Sequence, residues 1–464
     1  MKFVRALLVS FVIVGVLAGC GPAPTPEVIR ETVEVEVPVE QTVVVEEIVE
    51  VEKTVEVEKT VEVVQEQEVV TIAYNNYFNM TFGPADPPIQ AIRAAVAEKY
   101  PNIIIEFNVM PYEAGPWHDN YVTWFTAEDG TTDLIGVGAY WTAEFAEAGW
   151  LLPLNDMISQ DILDKLNPAY LEAHTYQGDM IGLGPWWGGI GGLYYRKDLL
   201  DEYGFDPPQT YEELVTIVEA IQAEEPDMSG WTWPALNDQV LVNRWTEFLN
   251  GFGGTYFNED GSCAMNSEEA VAALEFMVGL VQDGISPREI TTWKEEDSQV
   301  RFVSGQSIFH TGRQDMMFWL DNPEQSEVVE KWDFIPMPAT PAGEPTGYYE
   351  GWAFSINKYS DNPEAAAKVL EVMFDFDVQK AFNLSQGPIQ AHMDVYEDPE
   401  VIENNPNLPK IQAVADTAEP PIPSPYYTEM ADILADELHA ALTGIKQPQA
   451  ALDAACQRID AIQQ

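Results

Sequence analysis

Aromatic rings and carboxylates are the residues of this sequence best able to do chemistry, and they gather in short runs after hydrophobic stretches. Three such runs are Tyr74-Asn75-Asn76-Tyr77-Phe78, Met110-Pro111-Tyr112-Glu113 and Gly138-Ala139-Tyr140-Trp141. Each sets flat apolar faces beside amide, carboxylate or hydroxyl groups, the means to grip a ligand by stacking and hydrogen bonding together. Asn76, Glu113, Tyr140 and Trp141 are therefore candidate binding residues. A fourth run, Gly184-Pro185-Trp186-Trp187-Gly188-Gly189, places two large aromatics among residues with little side-chain bulk and reads as a cleft wall or a crossing strand. The five histidines lie far apart with no metal-ligand spacing. No HExxH, GxxxxGK[ST] or GxSxG is present and no GxGxxG follows a strand, so metal, nucleotide and serine-hydrolase sites lack support and no cofactor is called for. Composition alone would also suit a glycoside hydrolase, which needs two acids about the scissile bond.

One cysteine has a chemistry of its own. Lys2 and Arg5 precede an apolar stretch from Ala6 to Leu17, which closes on Leu17-Ala18-Gly19-Cys20 and breaks into Gly21-Pro22-Ala23-Pro24. As a helix the stretch would span about 18 Å, too short for a hydrocarbon core of about 30 Å. The pattern is that of a cleaved lipoprotein signal with Cys20 as the lipidated first residue, which anchors the protein at the outer face of the cell membrane. Cys263 and Cys456 remain as a possible disulfide in an oxidising compartment, although spacing alone cannot show that they meet.

From Glu27 to Val70 the chain is almost entirely Val, Glu, Thr and Gln, with the hexad Val49-Glu-Val-Glu-Lys-Thr54 repeated from Val55 to Thr60. Without Leu or an aromatic to seed a core, and with glutamates that repel one another, this reads as an extended charged spacer. Edge-to-edge or helical pairing is the alternative, but a six-residue period fits neither a 3.5 nor a 3.6 repeat. The whole chain carries a formal charge of −55, and the excess persists beyond the spacer. That balance argues against nucleic acid or an anionic lipid surface as a partner.

The rest, from Thr71 onward, is too long for one core and suits two domains. Its start alternates strand and helix: a strand over Val69–Tyr74, a helix over Ile89–Tyr100 with Ile89, Ile92 and Val96 on one face, and a strand over Ile103–Val109. A third strand at Asp133–Val137 and a helix over Glu144–Gly149 extend this to a doubly wound α/β sheet, whose ligands sit at the carboxyl ends of the strands. Further on, Thr210-Tyr-Glu-Glu213 is a capping box, and Asn362-Pro363 supplies a cap and an N1 proline.

Several longer runs carry a resemblance: Asp133-Leu-Ile, Phe145-Ala-Glu-Ala-Gly-Trp-Leu-Leu-Pro-Leu154, Gly192-Leu-Tyr-Tyr-Arg-Lys-Asp-Leu-Leu200, Phe302-Val-Ser-Gly-Gln306, Ile335-Pro-Met-Pro338, Gly351-Trp352 and Ile356-Asn357-Lys358. In this order the sequence resembles the family 1 extracellular solute-binding proteins of ABC importers, in particular maltose/trehalose-type sugar-binding lipoproteins. The resemblance implies a type II periplasmic-binding-protein fold: two α/β lobes, a hinge, closure over one solute in the cleft, delivery to a permease and no catalysis. Beyond the signal peptide at 1–20 and the stalk at 21–70, it implies lobe 1 at 71–183 and 347–399, and lobe 2 at 184–346 and 400–464. Crossings would fall near Leu183, Gly347 and Pro399.

By the same resemblance Trp352 is the sugar-stacking residue of a Gly-Trp pair, and Trp186 matches a Pro-Trp, with Trp187 where the pattern has Phe. Departures are equally plain. Gly189 stands where relatives have an acidic residue, Gln239 where the pattern has Glu, Gly312-Arg313-Gln314-Asp315 replaces an Asn-Trp-Pro-Tyr-type run, and Gly387-Pro388-Ile389-Gln390 lacks a Thr-Arg. The polar set is then Asn76, Glu113, Gln239, Arg313, Asp315, Glu350 and Gln390. An uncharged oligosaccharide is the expected solute. If Arg313 faces the cleft, an anionic solute such as a glycerophosphodiester or uronate is the alternative; a glycoside hydrolase stands behind both.

Overall fold

The computed structural model describes residues 68–75, 87–110, 114–166, 168–184, 186–187, 189–386, 389–390 and 392–463, all within the compact unit Val64–Gln464. The signal, Cys20 and most of the charged spacer lie outside the described residues. Among the described residues no helix is long and apolar enough to cross a membrane.

Strands in chain order are β1 (Glu68–Asn75), β2 (Ile103–Met110), β3 (Leu134–Gly138), β4 (Thr175–Tyr176), β5 (Asp179–Met180), β6 (Trp186–Trp187) and β7 (Gly189–Arg196). They continue as β8 (Ser229–Thr232), β9 (Ser307–Arg313), β10 (Trp332–Ile335), β11 (Gly347–Glu350), β12 (Trp352–Ile356), β13 (Ile389–Gln390) and β14 (Ala418–Glu419). One sheet has the order β12-β3-β1-β2; the other runs β14-β11-β7-β9-β8 with β10 also on β7.

The first sheet grows from the expected βαβ unit. β1 pairs in parallel with β2 and with β3, and the helix Pro87–Lys99 crosses between β1 and β2. Its buried Ile89, Ile92 and Val96 share a core with Val70, Ile72, Ile103 and Ile105, because spacings of three and four keep them on one helical face. β1 starts at Glu68, inside the segment read from sequence as stalk. After β3 comes a 3-10 turn, Ala139–Trp141, and then a helix over Thr142–Glu147, earlier than the Glu144–Gly149 expected from sequence. The tight turn keeps Tyr140 and Trp141 at the strand end.

Thr210 and Glu213 form the expected capping box at the helix Tyr211–Glu224. Pro363 opens the helix Pro363–Val372, but Asn362 does not cap it. Its amide instead donates to the Val69 carbonyl at 3.2 Å.

Two crossing strands lie side by side. Leu183 and Phe354 exchange backbone hydrogen bonds of 2.8 and 3.0 Å, and beyond Leu183 the chain enters β7 of the second sheet, so the Trp186-Trp187 run is a crossing segment. Gly347–Glu350 already pairs with β7, so the return passage comes at Gly351, beyond Gly347. Late in the chain, helix Pro399–Asn404 packs on Phe376–Gln386, itself packed on Pro87–Lys99, whereas Leu408–Ala415 packs on β10 and β7. The third passage thus lies between Asn404 and Leu408. Cys263 and Cys456 form a disulfide, tying the C-terminal helix Pro448–Ile462 to the loop before helix Glu268–Gln282.

Candidate functional site

On the first sheet the site is a wall of indole and phenol rings. β12 runs antiparallel to β3 with Trp352 opposite Gly138. Trp352 stacks on Trp117 of helix Ala114–Thr126, with ring centroids 4.3 Å apart and planes 5° from parallel. Trp141 and Tyr140 meet Trp352 edge-on at 5.4 and 5.6 Å, and all four rings are buried. Two glycines make the room. A methyl on Gly138 would sit 2.7 Å from the Tyr140 ring, and one on Gly136 3.1 Å from the Trp117 indole. Because residues i and i+2 share a strand face, the bare face of β3 is the surface on which these rings lie.

On the second sheet the corresponding surface is charged. Every residue of β7 is buried, and Gly189 and Gly191 share one face of it. The Arg313 chain lies over Gly189, its Cδ 2.4 Å from where a methyl would be; Glu247 Oε1 and Arg244 Nη2 lie over Gly191 at 2.6 and 3.1 Å. Arg313 donates to Asp315 at 3.3 Å and stands 3.8 Å from Glu295. Arg244 and Glu247, one turn apart on helix Gln239–Gly251, pair at 3.2 Å with almost no exposure. Burial pushes the Glu247 carboxyl up to about 7, against the pull of Arg244. Burial raises Asp315 too, with Arg313 opposing; for Glu295 burial is outweighed by Arg313 and Arg244, which hold it below the usual carboxylate range. Burial brings His310 down to about 3, so it is neutral.

The two surfaces meet. Tyr427, at the start of helix Tyr427–Leu442 that packs on Gln239–Gly251, stacks on Tyr140 with centroids 5.8 Å apart. Its hydroxyl and that of Tyr348 both donate to Asn243 Oδ1, at 3.5 and 2.9 Å.

Of the residues picked from sequence, Trp352, Tyr140 and Trp141 come together in one cluster, and Arg313 and Asp315 in another. The β6–β13 ladder sets Trp186 opposite Gln390, and Glu350 is opposite Gly189. Gln239 is the first residue of its helix, next to the capping Asp238. Asn76 and Glu113 lie outside the described residues. Sequence reasoning missed Trp117, Asn243, Arg244, Glu247, Glu295, Tyr348 and Tyr427. The alternate glycines at 136/138 and 189/191, and a charged i, i+3 pair inside an apolar helix, were the available signals. Among the described residues no group of three or more His, Cys, Asp or Glu could hold a metal ion.

Two α/β lobes joined by adjacent crossing strands, with an aromatic wall on one and a polar surface on the other, define a two-lobe solute-binding protein. Residues 85–380 match the family described as bacterial extracellular solute-binding protein, and the chain belongs to that family. A probable ABC transporter-binding protein of Deinococcus radiodurans is 30% identical over 303 residues, 61% of this chain and 69% of the relative. The mannitol-binding protein of Pseudomonas aeruginosa is 23% identical over 290 residues, 60% of this chain and 64% of that one. Among solved structures, maltose-bound MalE3 of T. maritima superposes with a TM-score of 0.71 at 29% identity, covering 85% of this chain and 99% of that one.

Proposed function

We propose that this chain captures a neutral carbohydrate, an oligosaccharide or polyol, between its lobes and delivers it to the permease of an ABC importer. The Trp352–Trp117 slab, with Tyr140 and Trp141 edge-on, carries the reading. Stacked indoles give a rigid apolar platform for the C–H face of a sugar, and phenol and amide groups nearby can bond its rim. Relatives named for maltose and mannitol support the class. A solute touching both lobes favours the closed state by its differential affinity for it, which is the signal a permease can read. No bond is made or broken in this cycle, so we assign no catalytic residue.

An anionic solute fits less well. Arg313 already faces Asp315 and Glu295, so its charge is compensated within the protein. Lipidation at Cys20 and a charged spacer would hold the lobes outside the membrane; the Leu-Ala-Gly-Cys motif supports that part of the proposal. The sheet memberships above support a lobe division with passages beyond Leu183, at Gly351 and before Leu408.

Calorimetric titration with maltose, maltotriose and mannitol at two salt concentrations tests the reading. Trp352→Ala is expected to weaken binding by about 2 kcal/mol or more, the scale of a buried aromatic anchor. Arg313→Ala is expected to cost less, with no dependence on salt. The reverse order, with wild-type affinity falling as salt rises, would replace the sugar by an anion.

A further inference from the structure

The Arg244–Glu247 pair is a charge pair without hydrogen bonds to match. Its side chains are 2% and 0% exposed and approach to 3.2 Å. Yet Nε and Nη1 of Arg244 and both carboxylate oxygens of Glu247 have no hydrogen-bond partner among the described residues. Buried polar atoms are nearly always satisfied, and a charged group left unsatisfied is among the costlier defects a fold can carry. A pair kept only for stability would be expected to complete its bonds, since well-packed apolar residues serve as well or better in such a place.

Its position is equally specific. Glu247 Oε1 and Arg244 Nη2 lie over Gly191, so the strand beneath presents no side chain. Asn243, the preceding residue, accepts from Tyr348 and Tyr427, and Tyr427 stacks on Tyr140, which is edge-on to Trp352. A short series of direct contacts therefore joins the pair to the sugar platform.

We propose that Arg244 and Glu247 form a polar subsite that takes two adjacent hydroxyls of the bound carbohydrate. This rests on the carbohydrate reading above and adds to it the residues that read hydroxyl pattern. A vicinal diol donates O–H to the carboxylate and accepts from the guanidinium, so one neutral group satisfies both partners. An anion is disfavoured at this place, where Glu247, Glu295 and Asp315 outnumber Arg244 and Arg313. The family resemblance pointed to other positions, and position 189, acidic in the resembling pattern, is here a glycine covered by Arg313.

The test is a titration of the whole protein with maltose, mannitol and monodeoxy derivatives of each, by calorimetry, using wild type, Glu247→Gln and the double variant Arg244→Met/Glu247→Leu. The double variant removes both charges together, so it is expected to fold and to resist urea at least as well as wild type. Both variants are expected to bind about 10-fold or more weakly, the loss from a charge-assisted hydrogen bond. At least one deoxy derivative should bind wild type more weakly than its parent, while Glu247→Gln no longer distinguishes the two. A purely structural role would not produce that loss of discrimination. A folded double variant that binds like wild type overturns the subsite and leaves the carbohydrate reading intact. If the double variant does not fold, Glu247→Gln with unaltered discrimination overturns it equally. Wild type that binds neither parent sugar overturns the carbohydrate reading, and the subsite with it.

Discussion

β3 and β7 solve one geometric problem with opposite chemistry. Each is a buried strand stripped to glycine at alternate positions, Gly136/Gly138 in one and Gly189/Gly191 in the other, and each uses the bare face to seat large side chains flat against backbone. On β3 those side chains are rings held mainly by contact, although the buried Trp117 Nε1 finds no hydrogen-bond partner among the described residues. On β7 they are guanidinium and carboxylate groups, which must be neutralised as well as packed. The first surface thus leaves the weak donor of Trp117 unmatched, while the second leaves both members of a charge pair short of hydrogen bonds. One surface is closed by ring packing and the other holds buried charges.

The largest expected effect breaks the ring-packed side. Trp117→Ala removes the ring beneath Trp352 and should cost about 3–5 kcal/mol of stability, the usual loss for a large aromatic taken from a core. Urea unfolding measures it. A loss under about 1 kcal/mol would mean that Trp117 does not support the platform.

A smaller pair of changes compares the two strands directly. Gly138→Ala meets the rigid Tyr140 ring at 2.7 Å, and overpacking of this kind costs about 1–3 kcal/mol. Gly191→Ala meets the movable ends of Glu247 and Arg244, so it should unfold the protein less readily but weaken sugar binding more. Melting temperatures and titrations on both variants read the two outcomes; equal losses in each would erase the distinction.

The remaining effect is in pH. Burial pushes Glu247 up to about 7, whereas in the unfolded chain a glutamate ionises near about 4.3. Between those values the folded state binds more protons than the unfolded, so this group's contribution to stability falls as pH rises through the window. His310 works the other way. Held down to about 3 by burial, it adds stability above its unfolded pKa of about 6.5, and that is lost as pH falls toward 3. Glu247→Gln should therefore flatten the decline between about pH 4.5 and 7 in urea melts, and an unchanged slope would assign the decline to other groups.

Local features were legible in the sequence where local physics decides them. The spacing of Ile89, Ile92 and Val96 gave a helix within two residues of its place, and Thr210 with Glu213 marked a helix start. Trp352 was picked out through the resemblance, but Trp117, on which it stacks, was not. Nothing near Trp117 in the chain says that it will lie under a residue brought across by β12. Arg313 shows the same limit. In a chain so acidic it reads equally as a partner of one of many carboxylates or as a cation open to an anionic solute. Only the fold shows Asp315 at 3.3 Å and Glu295 at 3.8 Å. Asn362 failed in the opposite direction, since its side chain donates through Nδ2 to the Val69 carbonyl and accepts no cap hydrogen bond.

The link between Cys263 and Cys456 spans 193 residues. A chain that emerges N-terminus first cannot close that ring until Cys456 has followed Cys263 out. Strands β9, β10, β11 and β14 lie inside the ring and can pair before it closes, and a chain cleaved ahead of Pro448 would keep Cys263 as a lone thiol.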